Sequence, residues 1–255
     1  MENRKWMSCS VRPTNAMLRL PLALRVDPYP DESLSSVLMR LVDANGLRSV
    51  GALLRDAGCV AFGPLVSAEI AELSRVCRIG QSTMRSMCPV EVGGRARGTA
   101  FGYAIGHHVI EARHLLVRER ERICPLCLLD GGIMLASHRL TWMTACPVHE
   151  VQLVDACPQC ENPVTVTRPS MARCRCGLDL SLISLQACVA EETENAHLMY
   201  RCWSQPTTGA SRLPELLGEI EERMNLQHAG GISSNSTTDR RGLPLHQIRN
   251  ALGFS

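Results

Sequence analysis

The stretch that decides the fold lies at residues 145–160 and reads ACPVHEVQLVDACPQC. It contains two four-residue units, Cys146–His149 and Cys157–Cys160, each of which begins with Cys-Pro and ends with a metal-binding residue type. A third unit, Cys124–Cys127, precedes them, and a Cys-x-Cys-Gly sequence at 174–177 follows them. Zinc takes four thiolate or imidazole ligands in a tetrahedron, and two ligands close together in sequence hold one edge of it. The four pairs therefore predict two zinc ions.

The order of the pairs leaves two ways to build these sites. Sequential pairing closes loops of 18 and 13 residues, each at a low entropic cost. A cross-brace would instead join the first pair to the third and the second pair to the fourth. We favour sequential pairing, which suits zinc knuckles or zinc ribbons. It predicts one site from Cys124, Cys127, Cys146 and His149 and another from Cys157, Cys160, Cys174 and Cys176.

Each predicted site has four protein ligands, which is typical of a structural zinc ion, because a catalytic ion keeps one position open for water. The sequence has no His-Glu-x-x-His, Walker A, Gly-x-Ser-x-Gly or paired-carboxylate pattern. His149-Glu150 lacks the spacing of a zinc deaminase. We therefore expect two structural zinc ions and no catalytic residues, so the protein is predicted not to be an enzyme.

The bulk composition places these cysteines in a reducing compartment. The chain has 255 residues, of which 45% are hydrophobic, an ordinary proportion for a globular protein. It has no run of ~18 apolar residues, and its first residues lack the apolar segment of a secretory signal, so we expect a cytoplasmic protein without a membrane span. Thirteen cysteines there indicate metal ligands or buried thiols. The six outside the pairs are expected to be buried: Cys9, Cys59, Cys77, Cys88, Cys188 and Cys202.

The chain has few aromatic residues, which favours a structural role for the metal. The chain has three Trp, three Tyr and three Phe, so two zinc ions would supply part of the rigidity that a larger core would give. Trp142 lies four residues before Cys146. We expect it to pack beneath the first zinc site and not to stack on a nucleic-acid base.

The N-terminal half is predicted to be helical. Apolar residues at helical spacing run from Leu34 to Val42 and stop at Asn45-Gly46, a sequence that favours the end of a helix. Further helices are predicted at about 49–57, 67–77 and 82–87.

The last two of these helices are joined by the turn Ile79-Gly80-Gln81, which is the outline of a helix-turn-helix. On one interpretation the second helix enters a DNA major groove, and on the other the pair is an ordinary corner of an all-α domain. The first interpretation assigns nucleic-acid contacts to Arg75, Arg78, Gln81, Ser82, Thr83 and Arg85.

The remaining elements complete a mainly α fold, with an N-terminal helix-turn-helix-like domain and two zinc-knuckle or zinc-ribbon motifs in the C-terminal half. We expect a Gly-rich loop over 89–106, and a helix over 108–122 whose RERER end is interpreted as solvated. Helices are also expected at about 186–203 and 213–226. The predicted parts are a flexible leader at 1–18, a helical helix-turn-helix-like domain at 19–107, a zinc-binding region at 108–185, C-terminal helices at 186–227 and a mostly disordered tail at 228–255.

Charge is distributed unevenly along the chain. The formal net charge is +2, and seven ligand thiolates with two Zn²⁺ would bring it to about −1, which predicts weak non-specific DNA binding. Residues 78–122 carry eight Arg and four Glu, whereas residues 181–222 carry seven Glu and two Arg. The first segment could meet phosphate and the second a protein, or both could be solvated helix faces. Four arginines near the cysteine pairs are candidate partner or phosphate contacts: Arg139, Arg168, Arg173 and Arg175.

The cysteine pairs stand in a wider pattern. Between the first two pairs lies Arg139-Leu140-Thr141-Trp142, and the third pair ends the stretch Leu153–Cys160. The N-terminal part contains Pro30-Asp31-Glu32-Ser33-Leu34, then Arg40, then Asn45-Gly46. Taken in their order along the chain, over about residues 20–185, these segments resemble the TniQ/TnsD family of transposition target-selection proteins.

The resemblance implies a mostly helical adaptor with zinc-binding motifs. Members of this family recognise target DNA directly or through an RNA-guided CRISPR effector. They then recruit a TnsC-type AAA+ ATPase, which brings in the transposase, and some members form homodimers. The first hypothesis is therefore a target-selection adaptor whose main contacts are with proteins. The alternative is a direct, sequence-specific, zinc-containing DNA-binding protein.

Overall fold

The structure, a computed structural model, describes residues 20–59, 66–92, 102–105, 108–110, 120–204, 212–228 and 245–254. Within these residues the fold is mainly helical with little strand, as the sequence predicted. The predicted flexible leader at 1–18 and most of the predicted disordered tail lie outside the described residues. The helices are α1 Leu34–Ala44, α2 Val50–Asp56, α3 Ser67–Cys77, α4 Gln81–Met87, α5 Pro125–Asp130, α6 Ala190–Ser204, α7 Leu213–His228 and α8 Leu245–Ala251.

Helix α1 begins and ends where its side chains satisfy free backbone groups. The Ser33 hydroxyl accepts a hydrogen bond from the Ser36 amide at 3.2 Å, which caps the first turn. At the other end the Asn45 side chain accepts from the Leu24 amide and donates to the Leu24 carbonyl, both at 2.8 Å. Asn45 thus ends the helix and also holds the preceding extended segment against it. Gly46 follows with a φ of +60°, a conformation that glycine adopts without strain.

The helix-turn-helix outline is present as α3 and α4. Arg78, between the two helices, has a φ of +58°, so the chain turns in the left-handed conformation there. Helix α4 begins at Gln81 and not at Ser82 as predicted, with Gly80 as the residue before its first turn. The contact between the two helices buries Leu73, Cys77 and Met84.

The region after α4 corrects two predictions. A three-stranded antiparallel sheet lies where a loop and the start of a helix were expected, with β1 Val90–Val92, β2 Gly102–Ile105 and β3 His108–Ile110 in the order β1-β2-β3. Val90 opposes Ala104, and Ala104 opposes Val109. Short strands depend on non-local pairing, which no window of sequence contains, and the glycines between them are typical of loops. Of the predicted helix, residues 111–119 lie outside the described residues.

Residues 120–122, the described part of the charged RERER end, are also not a solvated helix terminus. Glu121 and Arg122 are buried, and residues 120–122 are not helical. The Glu121 carboxylate accepts hydrogen bonds from Arg139 at 2.9 Å and from Ser35 at 3.1 Å. Because each carboxylate oxygen has a donor, the cost of removing this charge from water is offset. Alternation of charge in sequence does not reveal such distant partners.

Buried Arg122 organises the loop that separates the first two cysteine pairs. One of its terminal nitrogens donates to the carbonyls of Leu140, Thr141 and Met143 at 2.9, 2.7 and 2.9 Å. Burial lowers the pKa of this guanidinium to about 9, so it remains charged at neutral pH. The charge therefore strengthens three hydrogen bonds that shape a loop with little regular structure.

Buried apolar side chains form two clusters, and the chain crosses between them. The N-terminal core contains the buried faces of α1–α4 together with Cys157 and Cys174. The C-terminal core contains the buried faces of α6–α8 together with Cys124, Cys127 and Cys146. The earlier cysteine pairs thus pack with the later helices, and the later pairs pack with the earlier helices. The predicted domain limits remain a prediction.

Helix α8 belongs to the C-terminal core, although it lies in the segment predicted as a mostly disordered tail. Its Leu245 and Ile248 are buried. The Leu245 amide donates to the Asp155 carboxylate at 2.9 Å, and Arg249 lies 3.4 Å from the buried carboxylate of Glu192 on α6. The low hydrophobicity on which the disorder prediction rests is confined to residues 228–242, whereas the last segment, LPLHQIRNALGFS, starts with a helical pattern, and α8 forms within it. None of the described helices is both long and apolar enough to cross a bilayer.

Asp31 joins three separate parts of the fold. Its carboxylate accepts hydrogen bonds from the Ser137 hydroxyl at 2.7 Å and from the Trp203 indole N–H at the end of α6. Its backbone carbonyl accepts from the Ala136 amide at 2.7 Å. Trp203 in turn stacks on His108 of β3, whose Nε2 lies 2.9 Å from the Trp203 carbonyl. The N-terminal motif therefore docks on the segment that precedes Trp142.

The neighbouring Glu32 is a buried carboxylate with a complete set of donors. It pairs with Arg40 at 2.7 Å and accepts from the Ser36 hydroxyl at 2.6 Å and the Tyr29 amide at 3.0 Å. The Arg40 guanidinium also lies over the Tyr29 ring, 4.6 Å from its centroid. These contacts give a structural reason for the Asp-Glu-Ser sequence and the arginine that follows it.

Asp31 provides a pH-dependent test of this docking. Burial raises the pKa of its carboxyl from 3.8 to about 6, and the hydrogen bonds from Ser137 and Trp203 only partly oppose that rise. The folded protein therefore binds this proton more tightly than the unfolded chain, and the resulting stability, complete below about pH 4, is lost as the pH rises through 6. We expect the free energy of unfolding of Asp31→Asn, relative to wild type, to rise by about 1.4 kcal/mol between pH 5 and pH 8.

Denaturant unfolding of zinc-saturated protein at pH 5, 6.5 and 8 would measure this difference. Asp27→Asn, at an exposed carboxylate, is the matched control and should show no such trend. Parallel pH profiles for Asp31→Asn and wild type would contradict the buried position of this charge.

Candidate metal centres and nucleic-acid surface

The first group of candidate ligands consists of Cys124, Cys127, Cys146 and His149, whose ligand atoms all lie within 4.8 Å of one another. Cys127 Sγ is 3.7 Å from Cys146 Sγ. His149 points its Nδ1 into the group, at 3.5, 3.3 and 3.6 Å from the sulfurs of Cys124, Cys127 and Cys146. The three cysteines are buried, and the histidine lies at the edge.

Two different local structures present these ligands. Cys124 is the residue before α5, Pro125 is its first residue, and Cys127 lies in its first turn, so the first pair is on a helix start and not on a knuckle turn. Cys146 and His149 lie on a tight turn in which the Glu150 amide donates to the Cys146 carbonyl at 2.9 Å. This turn ends with Glu150 at a φ of +56°.

The second group consists of Cys157, Cys160, Cys174 and Cys176. Cys157 Sγ is 3.6 Å from Cys176 Sγ, and Cys160 Sγ is 3.8 Å from Cys174 Sγ. The Cys157–Cys160 turn repeats the geometry of Cys146–His149, because the Glu161 amide donates to the Cys157 carbonyl at 2.8 Å and Glu161 has a φ of +58°. The two Cys-Pro-x-Cys/His-Glu sequences therefore form the same turn twice.

The last cysteine pair of the second group lies on a shorter turn than the other pairs do. Cys174 and Cys176 are only two positions apart, and the Gly177 amide donates to the Cys174 carbonyl at 3.0 Å. Gly177 has a φ of +96°, which favours glycine at the end of this short turn. Cys176 is exposed and Cys160 is half-buried, so this group lies nearer the surface than the first.

The distances between the ligand atoms fit tetrahedral zinc. Metal–sulfur bonds of about 2.3 Å and metal–nitrogen bonds of about 2.0 Å imply edges of about 3.8 Å between sulfurs and about 3.5 Å between sulfur and nitrogen. The observed sulfur–sulfur distances are 3.6 to 3.8 Å and the sulfur–nitrogen distances 3.3 to 3.6 Å. Disulfides would require about 2.05 Å, and all of these cysteines are free thiols. Each group could therefore hold one metal ion with four protein ligands.

The thiols of the first group need a cation if all are to lose their protons. Hydrogen bonds from Cys127 and Cys146 lower the pKa of the Cys124 thiol to about 2. The same contact with Cys124 raises the pKa of Cys127 far above its ordinary value, and it raises the pKa of Cys146 to about 12. One thiolate thus forms at the expense of its neighbours. Divalent zinc would supply the positive charge that allows three thiolates to lie together.

Asp130, which the sequence analysis did not single out, orients the histidine of the first group. Its carboxylate lies 2.9 Å from His149 Nε2, the ring nitrogen opposite the one that faces the sulfurs. Such a contact holds the proton on Nε2 and leaves Nδ1 free to bind metal. The sequence places Asp130 three residues after Cys127, one turn further along α5, but its contact with His149 depends on a turn that is distant in the chain.

We expect Asp130→Ala to weaken zinc binding at the first group by about tenfold, at the low end for such residues because this carboxylate is exposed. Competition with a chromophoric chelator would measure the affinities for both zinc equivalents, and only one of the two should fall. Asp56→Ala, at an exposed acidic residue on α2, is the control. Equal affinities in Asp130→Ala and wild type would show that the carboxylate has no part in holding the imidazole.

The six candidate nucleic-acid residues are all exposed and lie on or beside the α3–α4 turn. Arg75 pairs with Glu72 one turn earlier, at 2.7 Å. The Arg78 guanidinium is 3.5 Å from the Ala23 carbonyl of the preceding extended segment. Helix α4 therefore presents its polar face outward, with Gln81, Ser82, Thr83 and Arg85 on it.

The four arginines near the cysteine pairs have different surroundings. Arg139 is bonded to buried Glu121, and Arg168 is buried with hydrogen bonds to the carbonyls of Met171 and Thr165. Arg173 and Arg175 are exposed. Only this second pair is accessible to a partner or a phosphate, because the first pair has its hydrogen-bonding capacity directed into the fold.

The cysteines outside the two groups, and Trp142, occupy structural positions. Cys59, Cys77 and Cys88 are buried, as predicted, whereas Cys188 and Cys202 are only half-buried. Cys9 lies outside the described residues. Trp142 is buried in the C-terminal core together with the cysteines of the first group, as expected.

A family model described as TniQ matches residues 23–153, slightly more than half of the chain. The chain belongs to the TniQ family, and its TniQ domain gives it a role in transposition target selection, in which the family acts with target DNA and the transposition machinery. A search of curated proteins found no match. The matched segment contains α1–α5 and all four residues of the first group, but it ends before the second.

Proposed function

We propose that this protein is a non-catalytic adaptor for target selection in DNA transposition. It links a target-recognition element, either a DNA site or an RNA-guided CRISPR effector, to a TnsC-type AAA+ ATPase and through it to the transposase. The observation that carries this proposal is the family match over residues 23–153. The contact of the Asp31 region with the segment before Trp142 supports it, because the two stretches that carry the family pattern pack on each other.

The metal has a structural role in this proposal. Cys124, Cys127, Cys146 and His149 hold one zinc ion, and Cys157, Cys160, Cys174 and Cys176 hold the other. Both sets are complete with four protein ligands, so the ions rigidify the fold and activate no water. The adaptor works in the cytoplasm, where the thiols stay reduced and the target DNA is present.

The exposed polar and charged side chains define the surfaces that are available to partners. The polar face of α4 and the arginines at its turn are the candidate contact with target DNA, and Arg173 and Arg175 are candidate phosphate or partner contacts beside the second metal group. A chain with little net charge makes few phosphate contacts overall, which favours a protein-binding adaptor.

Binding to the cognate ATPase tests the proposal. At 200 mM salt, the protein should bind the ATPase assembled on DNA and show little affinity for the same DNA without the ATPase. If the proposal is wrong, neither pull-down nor co-sedimentation would detect the protein on the DNA-bound ATPase. Arg78→Ala/Arg85→Ala should leave binding to the ATPase intact.

The alternative, a direct sequence-specific DNA-binding protein, is favoured by the exposed polar face of α4. About 6–10 phosphate contacts would reduce the DNA affinity by ~10³–10⁵ between 50 and 200 mM salt. In that case Arg78→Ala/Arg85→Ala would weaken binding to naked DNA and flatten its salt dependence. DNA binding by electrophoretic mobility shift at the two salt concentrations separates the alternatives.

A further inference from the structure

Three exposed aliphatic residues lie on the segments that meet near the histidine of the first metal group. Leu129 is 57% exposed at the end of α5, Val148 is 56% exposed on the Cys146–His149 turn, and Leu198 is 38% exposed on α6. Single exposed aliphatic residues are common on protein surfaces, but these three lie on neighbouring elements. We call them the knuckle patch.

Two side-chain contacts join the elements of the knuckle patch. Asp130, which follows Leu129, lies 2.9 Å from His149, and Glu150 lies 3.4 Å from His197, which precedes Leu198. The end of α5, the turn and the middle of α6 are thus held side by side. The three residues of the patch therefore lie on neighbouring segments that are far apart in sequence.

Carboxylates surround the knuckle patch. The side chains of Asp130 and Glu150 are 66% and 60% exposed. Glu191 and Glu194 are also exposed and lie seven and four positions before Leu198, on the same face of α6. Arg201 is the one exposed guanidinium on this described face of α6. Four exposed carboxylates and one exposed guanidinium therefore lie on the same segments as the three aliphatic side chains.

The α6 side of the patch is concave. An open depression of about 580 Å³ is lined by α6 residues alone, Leu198, Tyr200, Glu194 and Arg201 among them. It has room for one or two aliphatic side chains, with a carboxylate placed to meet a neighbouring cation. This shape and charge repel a phosphate backbone and suit a protein segment that carries both aliphatic and basic residues.

We propose that the knuckle patch binds a protein segment with aliphatic anchors flanked by Lys or Arg. The inference rests on the proposed function, because it names the surface through which the adaptor binds its protein partner. The aliphatic side chains enter the patch and the cations pair with its carboxylates. The candidate DNA contacts lie on and beside α4, whereas the patch lies on α5, the Cys146–His149 turn and α6, so the two partners use different elements of the fold.

The experiment measures the affinity of the full-length, zinc-loaded chain for the cognate ATPase assembled on DNA. One variant is Leu129→Ser/Val148→Ser/Leu198→Ser, and a second, Glu191→Lys/Glu194→Lys, changes only α6 and leaves the metal turn untouched. Each should raise the Kd by about tenfold or more, and the charge variant should also reduce the dependence of binding on salt. Leu182→Ser and Glu161→Lys, exposed positions beside the second metal group, are the matched controls and should change the Kd less than twofold.

The outcomes separate this inference from the proposed function. If wild type binds the ATPase and both patch variants bind equally well, the knuckle patch is not the binding surface, although the adaptor function stands. If wild type does not bind the ATPase at all, the proposed function is wrong and this inference is wrong with it. If the serine variant loses zinc, the charge variant alone decides.

Discussion

Replacement of one cysteine in either group, as in Cys124→Ala or Cys157→Ala, should remove one of two zinc equivalents and most of the stability of the core that contains it. A structural zinc ion contributes on the order of 10 kcal/mol to folding. The whole stability of a domain is about 5–15 kcal/mol, so the loss of one ion removes most of it. Elemental analysis would give the zinc content, and thermal unfolding followed by circular dichroism would give the stability.

The two variants should damage different parts of the molecule. Cys124 belongs to the C-terminal core and Cys157 to the N-terminal core, so each substitution should first expose amides of its own core to hydrogen exchange. Cys202→Ala, at a half-buried cysteine outside both groups, is the matched control and should retain two equivalents. Native protein with substantially less than two equivalents of zinc, or an unchanged melting temperature in both variants, would contradict the structural role of the metal.

Trp142→Ala should lower the free energy of unfolding by about 3–5 kcal/mol, because it leaves a large cavity in the C-terminal core. Trp142 is only 2% exposed and packs among the residues of the first metal group. A side chain in this position cannot stack on a nucleic-acid base, so the affinity for DNA should not change. Denaturant unfolding at saturating zinc would measure the loss of stability.

A second substitution, Trp142→Phe, separates the effect of lost volume from that of a lost hydrogen bond. Among the described residues, Trp142 Nε1 has no hydrogen-bond partner. Trp142→Phe therefore loses volume but no hydrogen bond, and we expect it to cost less than about 2 kcal/mol. If Trp142→Ala instead left stability unchanged and weakened DNA binding, Trp142 would be a nucleic-acid contact and its assigned place in the core would be wrong.

Much of the local structure could be predicted from short sequence patterns. The helices α1–α4 were expected within a residue or two, because apolar spacing, Ser33 and Asn45-Gly46 act over only a few positions. The four cysteine pairs were also evident, because each turn depends on a Cys-Pro or Cys-x-Cys-Gly sequence a few residues long. Local geometry of this kind is encoded next to the residues that adopt it.

Three features could not be predicted because they depend on partners distant in the chain. The strands β1–β3 are defined by pairing and not by any one segment. Burial of Glu121 and Arg122 requires Ser35, Arg139 and the carbonyls of the loop that follows. Asp130 gains its role only where the turn of His149 meets the end of α5.

The sequence alone determined that this protein has eight metal-capable side chains in four pairs, a helical N-terminal half and the pattern of a target-selection protein, since each of these is written in residue types and spacings. Tertiary structure alone decided that the first cysteine group packs with the last helices and the second with the first helices. It also decided that Asp31 joins the motif near the N-terminus to α6, and that the segments carrying Leu129, Val148 and Leu198 lie side by side. The reason is that burial and long-range hydrogen bonds are properties of the whole packed chain, and no local stretch of it contains them.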